Sequence, residues 1–420
     1  MGGIMEAPRS AYMKSLLLRR HNGLIKIITG IRRCGKSYFL FKLFRDVLLS
    51  EGVPTDHIIA LQLDDIRNRK YRNPEACYEY VLSRVKEEGP YYVLLDEVQM
   101  MDHFEEVMNS FLHVPSLDVY VTGSNSKFLS SDVVTEFRGR GDEIRMYPLS
   151  FAEFHELSNQ PFDECWQKYE RYGGLPGLLS MKDERQKEEY LSGLFRNVYL
   201  NDVVERQKVR NRDLLDDVVN ILASSIGTFT TPAKIANTYG SIKHISTSNK
   251  TVSDYIGYLE DAFLIESAVR YDIKGRRYIG ANKKYYFVDT GLRNVRLQFR
   301  QMEPTHLMEN VIFNELRMRG WHVDVGNINA YTSHGGTETK RSTLEVDFIA
   351  GRGNQKVYIQ SAYRMDDEEK AMQEKRPLLE IRDSFEKIIV VRDSVLPWRD
   401  ENGILIMGLQ DFLEKWDREK

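Results

Sequence analysis

Cysteine is scarce in this chain: three in 420 residues, Cys34, Cys77 and Cys165, with no C-x-x-C pair among them. That spacing excludes a zinc ribbon and a disulfide framework, and it points to a reducing compartment. Long apolar runs are missing too. Arg9, Lys14, Arg19 and Arg20 surround only Leu16-Leu17-Leu18, which is too little for a signal-peptide core, and no segment reaches the roughly 20 apolar residues that a membrane crossing needs. A soluble, cytoplasmic protein with no membrane contact is expected. Nor is one charge in excess. Lys+Arg 59 against Asp+Glu 62 leaves a formal −3, so no whole-chain basic field argues for nucleic acid, and any such site has to be local.

What is present is 42% apolar content in a chain too long for one ordinary core, with room for about two to four domains. Its most specific stretch is Gly30-Ile31-Arg32-Arg33-Cys34-Gly35-Lys36-Ser37, a match to G-x-x-x-x-G-K-[ST] between the β-branched run 25–29 and the apolar run 38–44. Strand, glycine loop and helix in that order make an anion cradle. The glycines let successive N–H groups turn inward, the helix N-terminus adds positive potential, Lys36 can reach the β and γ phosphates, and Ser37 can ligate Mg²⁺. A second stretch, Tyr91-Tyr92-Val93-Leu94-Leu95-Asp96-Glu97, reads as a strand buried on both faces and ending in two carboxylates. Asp96 can hold a water on the metal that Ser37 binds, and Glu97 can orient or deprotonate the water that attacks the γ phosphate. The pair implies hydrolysis.

Strands at 57–63, 91–96 and 117–124 alternate with helices at 73–88 and 102–113, the pattern of a parallel α/β sheet. Thr122, Ser124 and Asn125 emerge at the C-terminal edge of the last of these strands, where open α/β sheets bind ligands. They are candidates for sensing the γ phosphate, and Ser124 or Asn125 can equally serve as a helix N-cap. Arg138 and Arg140, spaced by Gly139, precede a strand-like 143–149. Either arginine can place a guanidinium on a γ phosphate, in its own subunit or in a neighbour's site, or belong to a solvated surface loop. From 151 to 212 the pattern is helical, a lid broken by the turn Tyr172-Gly173-Gly174-Leu175-Pro176-Gly177.

Helices at 213–225, from Thr231-Pro232, and at 248–259 lead to strands at 264–271 and 284–288 joined by Lys274-Gly275-Arg276-Arg277. Three helices and a β wing suggest a winged helix-turn-helix. Nine Lys/Arg against five Asp/Glu lie between Lys234 and Lys284, a surface on which Lys243, Lys250, Arg276 and Arg277 are the candidate contacts to double-stranded DNA; winged helices also contact proteins. The last section opens with a helix, 306–319, carrying Glu309 and Glu315, and continues with strands at 344–349 and 356–362. A helix glutamate, Asp347 and a following acidic-x-Lys pair would make a metal-dependent nuclease. Here the pair is Gln360 and Ala362, which can neither complete the metal site nor act as the lysine.

Over nearly its whole length the chain resembles the prokaryotic AAA-type ATPases with a C-terminal domain of unknown function, a degenerate relative of the PD-(D/E)xK nuclease fold. The matching pieces are the 30–37 loop, Leu95-Asp96-Glu97-Val98-Gln99, Thr122-Gly123-Ser124-Asn125-Ser126, Arg138-Gly139-Arg140, Tyr172-Gly173-Gly174-Leu175-Pro176 and Glu345-Val346-Asp347-Phe348. The resemblance implies an α/β AAA-type P-loop core at 1–150, a helical lid and connecting helix at 151–212, a winged-helix module at 213–300 and an α+β restriction-endonuclease-like domain at 301–420. It also implies ATP and Mg²⁺ as ligands. The expected nucleotide-binding residues are Gly30, Arg32, Arg33, Cys34, Gly35, Lys36, Ser37, Tyr38, Asp96 and Ser124. Ser37 and Asp96 serve the metal, and Glu97, Lys36, Asn125, Arg138 and Arg140 the chemistry. Three readings follow: an ATPase, monomeric or homo-oligomeric, whose nucleotide state repositions the later domains; an ATP-gated switch that binds DNA or an unknown protein partner; and a divergent nuclease.

Overall fold

The computed structural model describes residues 7–86, 89–123, 137, 139–334 and 338–417. The chain divides into two compact units, Met1–Leu149 with Leu175–Gly177 and Asp261–Phe263, and Ser150–Gly174 with Leu178–Glu260 and Leu264–Lys420.

The first unit is built on five strands, β1 (Ile25–Thr29), β2 (Ile58–Gln62), β3 (Tyr91–Asp96), β4 (Leu117–Thr122) and β5 (Gly141–Arg145), in the spatial order β2-β3-β4-β1-β5 and all parallel. Helices Pro74–Arg84 and Phe104–Phe111 cover it, so β1 and β3 are buried at every residue. A lysine in the middle of β1 conflicts with that burial. The conflict is resolved by Asp118 on β4, whose carboxylate takes the Lys26 ammonium as an ion pair, with the Leu24 carbonyl accepting a further bond at 2.8 Å. Pro74 stands at the first turn of its helix behind Asn73, whose Oδ1 accepts from the Ala76 N–H at 2.8 Å, as the sequence predicts. The helix after the glycine loop runs on to Ser50, and its Phe39–Phe44 segment is wound as a π-helix. β5 begins at Gly141, two residues before the expected strand, and leaves 146–149 to run beyond the sheet edge.

The second unit gathers helices Phe151–Ser158, Phe162–Tyr172, Glu184–Leu194, Arg212–Ser224, Pro232–Lys243 and Asn249–Asp261. Thr231 Oγ1 caps the Pro232 helix by accepting from the Lys234 N–H at 3.1 Å. Its sheet has eight strands, β6 (Ile265–Asp272), β7 (Arg277–Phe287), β8 (His322–His334), β9 (Glu338–Arg352), β10 (Gln355–Ala362), β11 (Glu386–Val391), β12 (Trp398–Arg399) and β13 (Leu405–Gly408), in the order β12-β13-β11-β10-β9-β8-β6-β7. The sheet is mixed. β6 pairs in parallel with β8, so the hairpin expected as a wing is also one edge of the C-terminal sheet.

The glycine turn after Tyr172 is explained inside this unit. Gly174 N–H donates to Asp289 Oδ2 at 2.8 Å, Leu292 N–H donates to Oδ1 at 3.1 Å, and burial pushes the Asp289 carboxyl up to about 6 against these bonds. Gly173 has φ 79, and a Cβ there would stand inside the van der Waals radius of the fixed Asp289 carboxylate. Gly173→Ala therefore combines a strained backbone with a collision that cannot relax cheaply. A loss of about 3 kcal/mol is expected, read from the shift of the urea unfolding midpoint.

Candidate active site

β4 lies between β1 and β3, so the C-terminal ends of three strands deliver the glycine loop, Thr122 and Asp96 to one edge of the sheet. Gly30 holds φ 133, and a Cβ on it would overlap the Met146 carbonyl oxygen; Gly35 holds φ 103. The loop is thus tight against the backbone that follows β5. Cys34 lies beneath it, buried, with its thiol 3.6 Å from the Met146 carbonyl oxygen. Arg33 and Tyr38 are exposed and Arg32 is half-buried.

Lys36 is buried, and its ammonium donates to the carbonyls of Gly30 at 2.8 Å and Ile31 at 3.0 Å within its own loop. Ser37 Oγ donates to Asp96 Oδ1 at 3.1 Å. The same carboxylate oxygen accepts from Thr122 Oγ1. Burial raises the Asp96 carboxyl above its ordinary range, and the Thr122 and Ser37 hydroxyls oppose that shift. A buried carboxylate beside a hydroxyl at the mouth of a glycine loop suits a hard cation with oxygen ligands, and the added positive charge would offset the burial penalty. The residues therefore fit Mg²⁺ with a bound nucleotide. Glu97 sits in the left-handed region at φ 51, and its Oε2 accepts from Gln99 Nε2.

Arg140 is misplaced for a role in its own loop. It precedes Gly141, which pairs with Ile25 at the start of β1, whereas the glycine loop follows Thr29 at the other end. Four steps of about 3.3 Å put roughly 13 Å between those edges, and the Arg140 guanidinium is directed at Asn109 Oδ1, 3.4 Å away. The same-subunit alternative for Arg140 fails on register. The arginine that register does bring beside the loop is Arg145, opposite Thr29, its guanidinium 5.1 Å from the Tyr147 ring centroid. Sequence reasoning missed it because strand register decides which end of β5 faces the loop. Ser124, Asn125 and Arg138 lie outside the described residues.

The nuclease-like residues also converge, but differently from expectation. Asp347 on β9 is buried, accepting from the Ser361 N–H at 2.8 Å, and Gln360 on β10 bridges the Asp347 N–H (3.4 Å) to Glu374 Oε2 (3.2 Å). Ala362 packs into an apolar cluster with Leu378 and Ile389. The unforeseen member is Lys284 of β7. Its buried ammonium meets Glu309 Oε1 at 2.8 Å and Glu345 Oε1 at 2.6 Å, and Tyr286 OH donates to Glu309 Oε1 at 2.7 Å. Burial alone would lower the Lys284 ammonium, and Glu309, Asp347 and Glu345 together raise it instead; burial and Glu309 push the Asp347 carboxyl well up. Among the described residues no three acidic, imidazole or thiol side chains converge to hold a metal ion.

Of the proposed DNA contacts, Lys243 is paired with Asp217 at 3.1 Å, Lys250 is exposed on its helix, and Arg276 and Arg277 are exposed at the β6–β7 turn.

A parallel five-stranded sheet with a glycine loop after β1 and a carboxylate pair after β3 defines a P-loop nucleotide-binding domain. A family model described as AAA domain matches residues 22–155, and one described as a domain of unknown function matches residues 163–303. An uncharacterised protein of Haemophilus influenzae is 33% identical over 411 residues, covering 96% of this chain and 98% of that one. An uncharacterised protein of Methanocaldococcus jannaschii is 28% identical over 395 residues, covering 90% and 82%. Among solved structures, the ORC2 protein of Aeropyrum pernix in its ADP form aligns over 73% of this chain and 96% of that chain, with 10% identity and a TM-score of 0.35. The chain belongs to the family of the Haemophilus protein, AAA-type P-loop proteins that carry a separate C-terminal domain of unknown function.

Proposed function

We propose that the protein hydrolyses ATP with Mg²⁺ and that its nucleotide state repositions a winged-helix module (213–300) and a nuclease-like domain (301–420). The observation that carries this reading is the meeting of Lys36, Ser37, Asp96 and Glu97 at one sheet edge, with Ser37 and Asp96 3.1 Å apart. Mg²⁺, when bound, neutralises charge across the β and γ phosphates. Lys36 exchanges its two carbonyl partners for phosphate oxygens, and Ser37 offers its hydroxyl as a metal ligand. Asp96, its carboxylate accepting from Thr122, would serve that metal, while Glu97, accepting from Gln99, would orient the attacking water. Ser124 or Asn125 senses the γ phosphate. Arg138, or Arg140 from a neighbouring copy, steadies the transition-state charge; the Arg140 alternative requires a homo-oligomer. Exposure of Lys250, Arg276 and Arg277 favours, as a second reading, contact with double-stranded DNA.

Cleavage of nucleic acid is not part of the proposal. A lysine from another strand does stand in the acidic cluster, which is the circumstance that could restore a nuclease, but Lys284 is ion-paired with two of its carboxylates. No Mg²⁺- or Mn²⁺-dependent cutting of DNA or RNA is expected, and Asp347→Ala should leave phosphate release intact. Reproducible cutting abolished by Asp347→Ala would reverse this reading. Steady-state phosphate release from Mg·ATP tests the main proposal: sustained turnover supports a hydrolase, and stoichiometric binding without turnover leaves a nucleotide-gated switch.

A further inference from the structure

The second unit holds a cleft apart from the glycine loop and the Lys284 cluster, sharing only Arg276 with the residues named above as DNA contacts. It measures about 720 Å³ and lies between the β6–β7 turn, β10 and residues 380–385. Four cations line it, Lys274, Arg276, Lys356 and Arg382, against two carboxylates, Glu380 and Asp383, in a chain whose net charge is −3. Both carboxylates are engaged: Lys274 pairs with Glu380 at 3.0 Å, and the Tyr358 hydroxyl donates to Asp383 Oδ2 at 2.6 Å. Among the described residues no carboxylate pairs with Arg276, Lys356 or Arg382. Rings are interleaved with these charges. Lys356 Nζ lies 4.6 Å from the Phe385 ring centroid and 5.7 Å from that of Tyr358, and Phe385 is 40% exposed. Lys356 covers part of the Phe385 ring, and the rest of that ring stays open to solvent inside the cationic cleft.

We infer that this cleft binds a nucleotide unit, its phosphate on Arg276, Lys356 and Arg382 and its base against Phe385. Guanidinium forks match phosphate oxygens in pairs, and the lysine adds a point charge. An aromatic face stacks on any base, so recognition is tolerant of sequence. The volume falls within the range of roughly 300–1,000 Å³ typical of small-ligand sites and holds one nucleotide rather than a duplex. An acidic peptide would satisfy the cations and leave the exposed ring without a role. The unit can come from a free nucleotide or from a single-stranded nucleic acid. The inference goes beyond ATP hydrolysis at the glycine loop and does not depend on it.

The test uses the full chain carrying Lys36→Ala, to silence the glycine loop, and is repeated in the wild type saturated with a nonhydrolysable ATP analogue. Binding of a labelled short oligothymidylate is followed by fluorescence anisotropy across salt concentrations. Phe385→Ala should weaken binding about tenfold with the salt slope unchanged. Arg276→Ala, Lys356→Ala and Arg382→Ala combined should weaken it further and flatten the slope by about 0.7, the share of the one phosphate that the three cations hold on a single strand. Displacement by thymidine monophosphate identifies the free nucleotide as the source, and resistance to it identifies the strand; either supports the site. Binding indifferent to both sets of substitutions, equal displacement by polyglutamate, or no binding of oligonucleotide and mononucleotide alike would overturn it.

Discussion

Lys36→Ala is expected to weaken ATP binding by roughly a hundredfold or more, because two charge-assisted bonds to phosphate, worth about 1.5–3 kcal/mol each, go with the ammonium. The side chain already points into its own loop, donating to the Gly30 and Ile31 carbonyls at 2.8 and 3.0 Å, so phosphate binding needs only an exchange of acceptors. Titration calorimetry measures the loss, with circular dichroism to show that the fold persists. A variant whose affinity stayed within threefold of wild type would remove Lys36 from the site.

Lys284→Ala should produce the largest loss of stability. The ammonium is buried between Glu309 and Glu345, with Asp347 close enough to raise its pKa. Glu345 is half-exposed, but deleting the lysine strands the buried Glu309 and Asp347 carboxyls in low dielectric, at a cost of about 3–5 kcal/mol. Because the folded-state pKa of Lys284 is raised above its unfolded value, the contribution is fully present at neutral pH and is lost only as pH climbs through the folded value. Adding Glu309→Gln to Lys284→Ala removes one stranded charge and should recover part of the loss, a coupling that a double-mutant cycle on urea midpoints would resolve. A single variant within 1 kcal/mol of wild type would show that the cluster is already hydrated or neutral.

Motifs that fix their own local geometry are legible in the sequence. Gly30 through Ser37 carries both glycines that the loop needs, β3 is an unbroken buried run, and Thr231-Pro232 and Asn73-Pro74 start the helices they should. Placements set by strand order and register are not legible. Thr122 reaches Asp96 because β4 is inserted between β1 and β3, which no spacing along the chain reveals. Arg140 looks suited to its own active site until the pairing of Gly141 with Ile25 puts it at the far edge. Lys284 is about sixty positions from Asp347 and enters the cluster only because β6 pairs with β8 and carries β7 into the C-terminal sheet. The strands from 386 to 408 leave little signal, since short runs without a helical period are hard to distinguish from loop.

Glu97→Gln, compared with wild type in parallel titration and phosphate-release assays, tests the assignment of hydrolysis most directly. The amide keeps the shape of the side chain and leaves Ser37 and Asp96 untouched, so ATP and Mg²⁺ should bind with affinity close to wild type while turnover falls by roughly a hundredfold or more, the usual contribution of a positioned general base. Turnover equal to wild type would contradict the role given to Glu97, and no turnover by either protein under any condition that supports ATP binding would contradict hydrolysis itself.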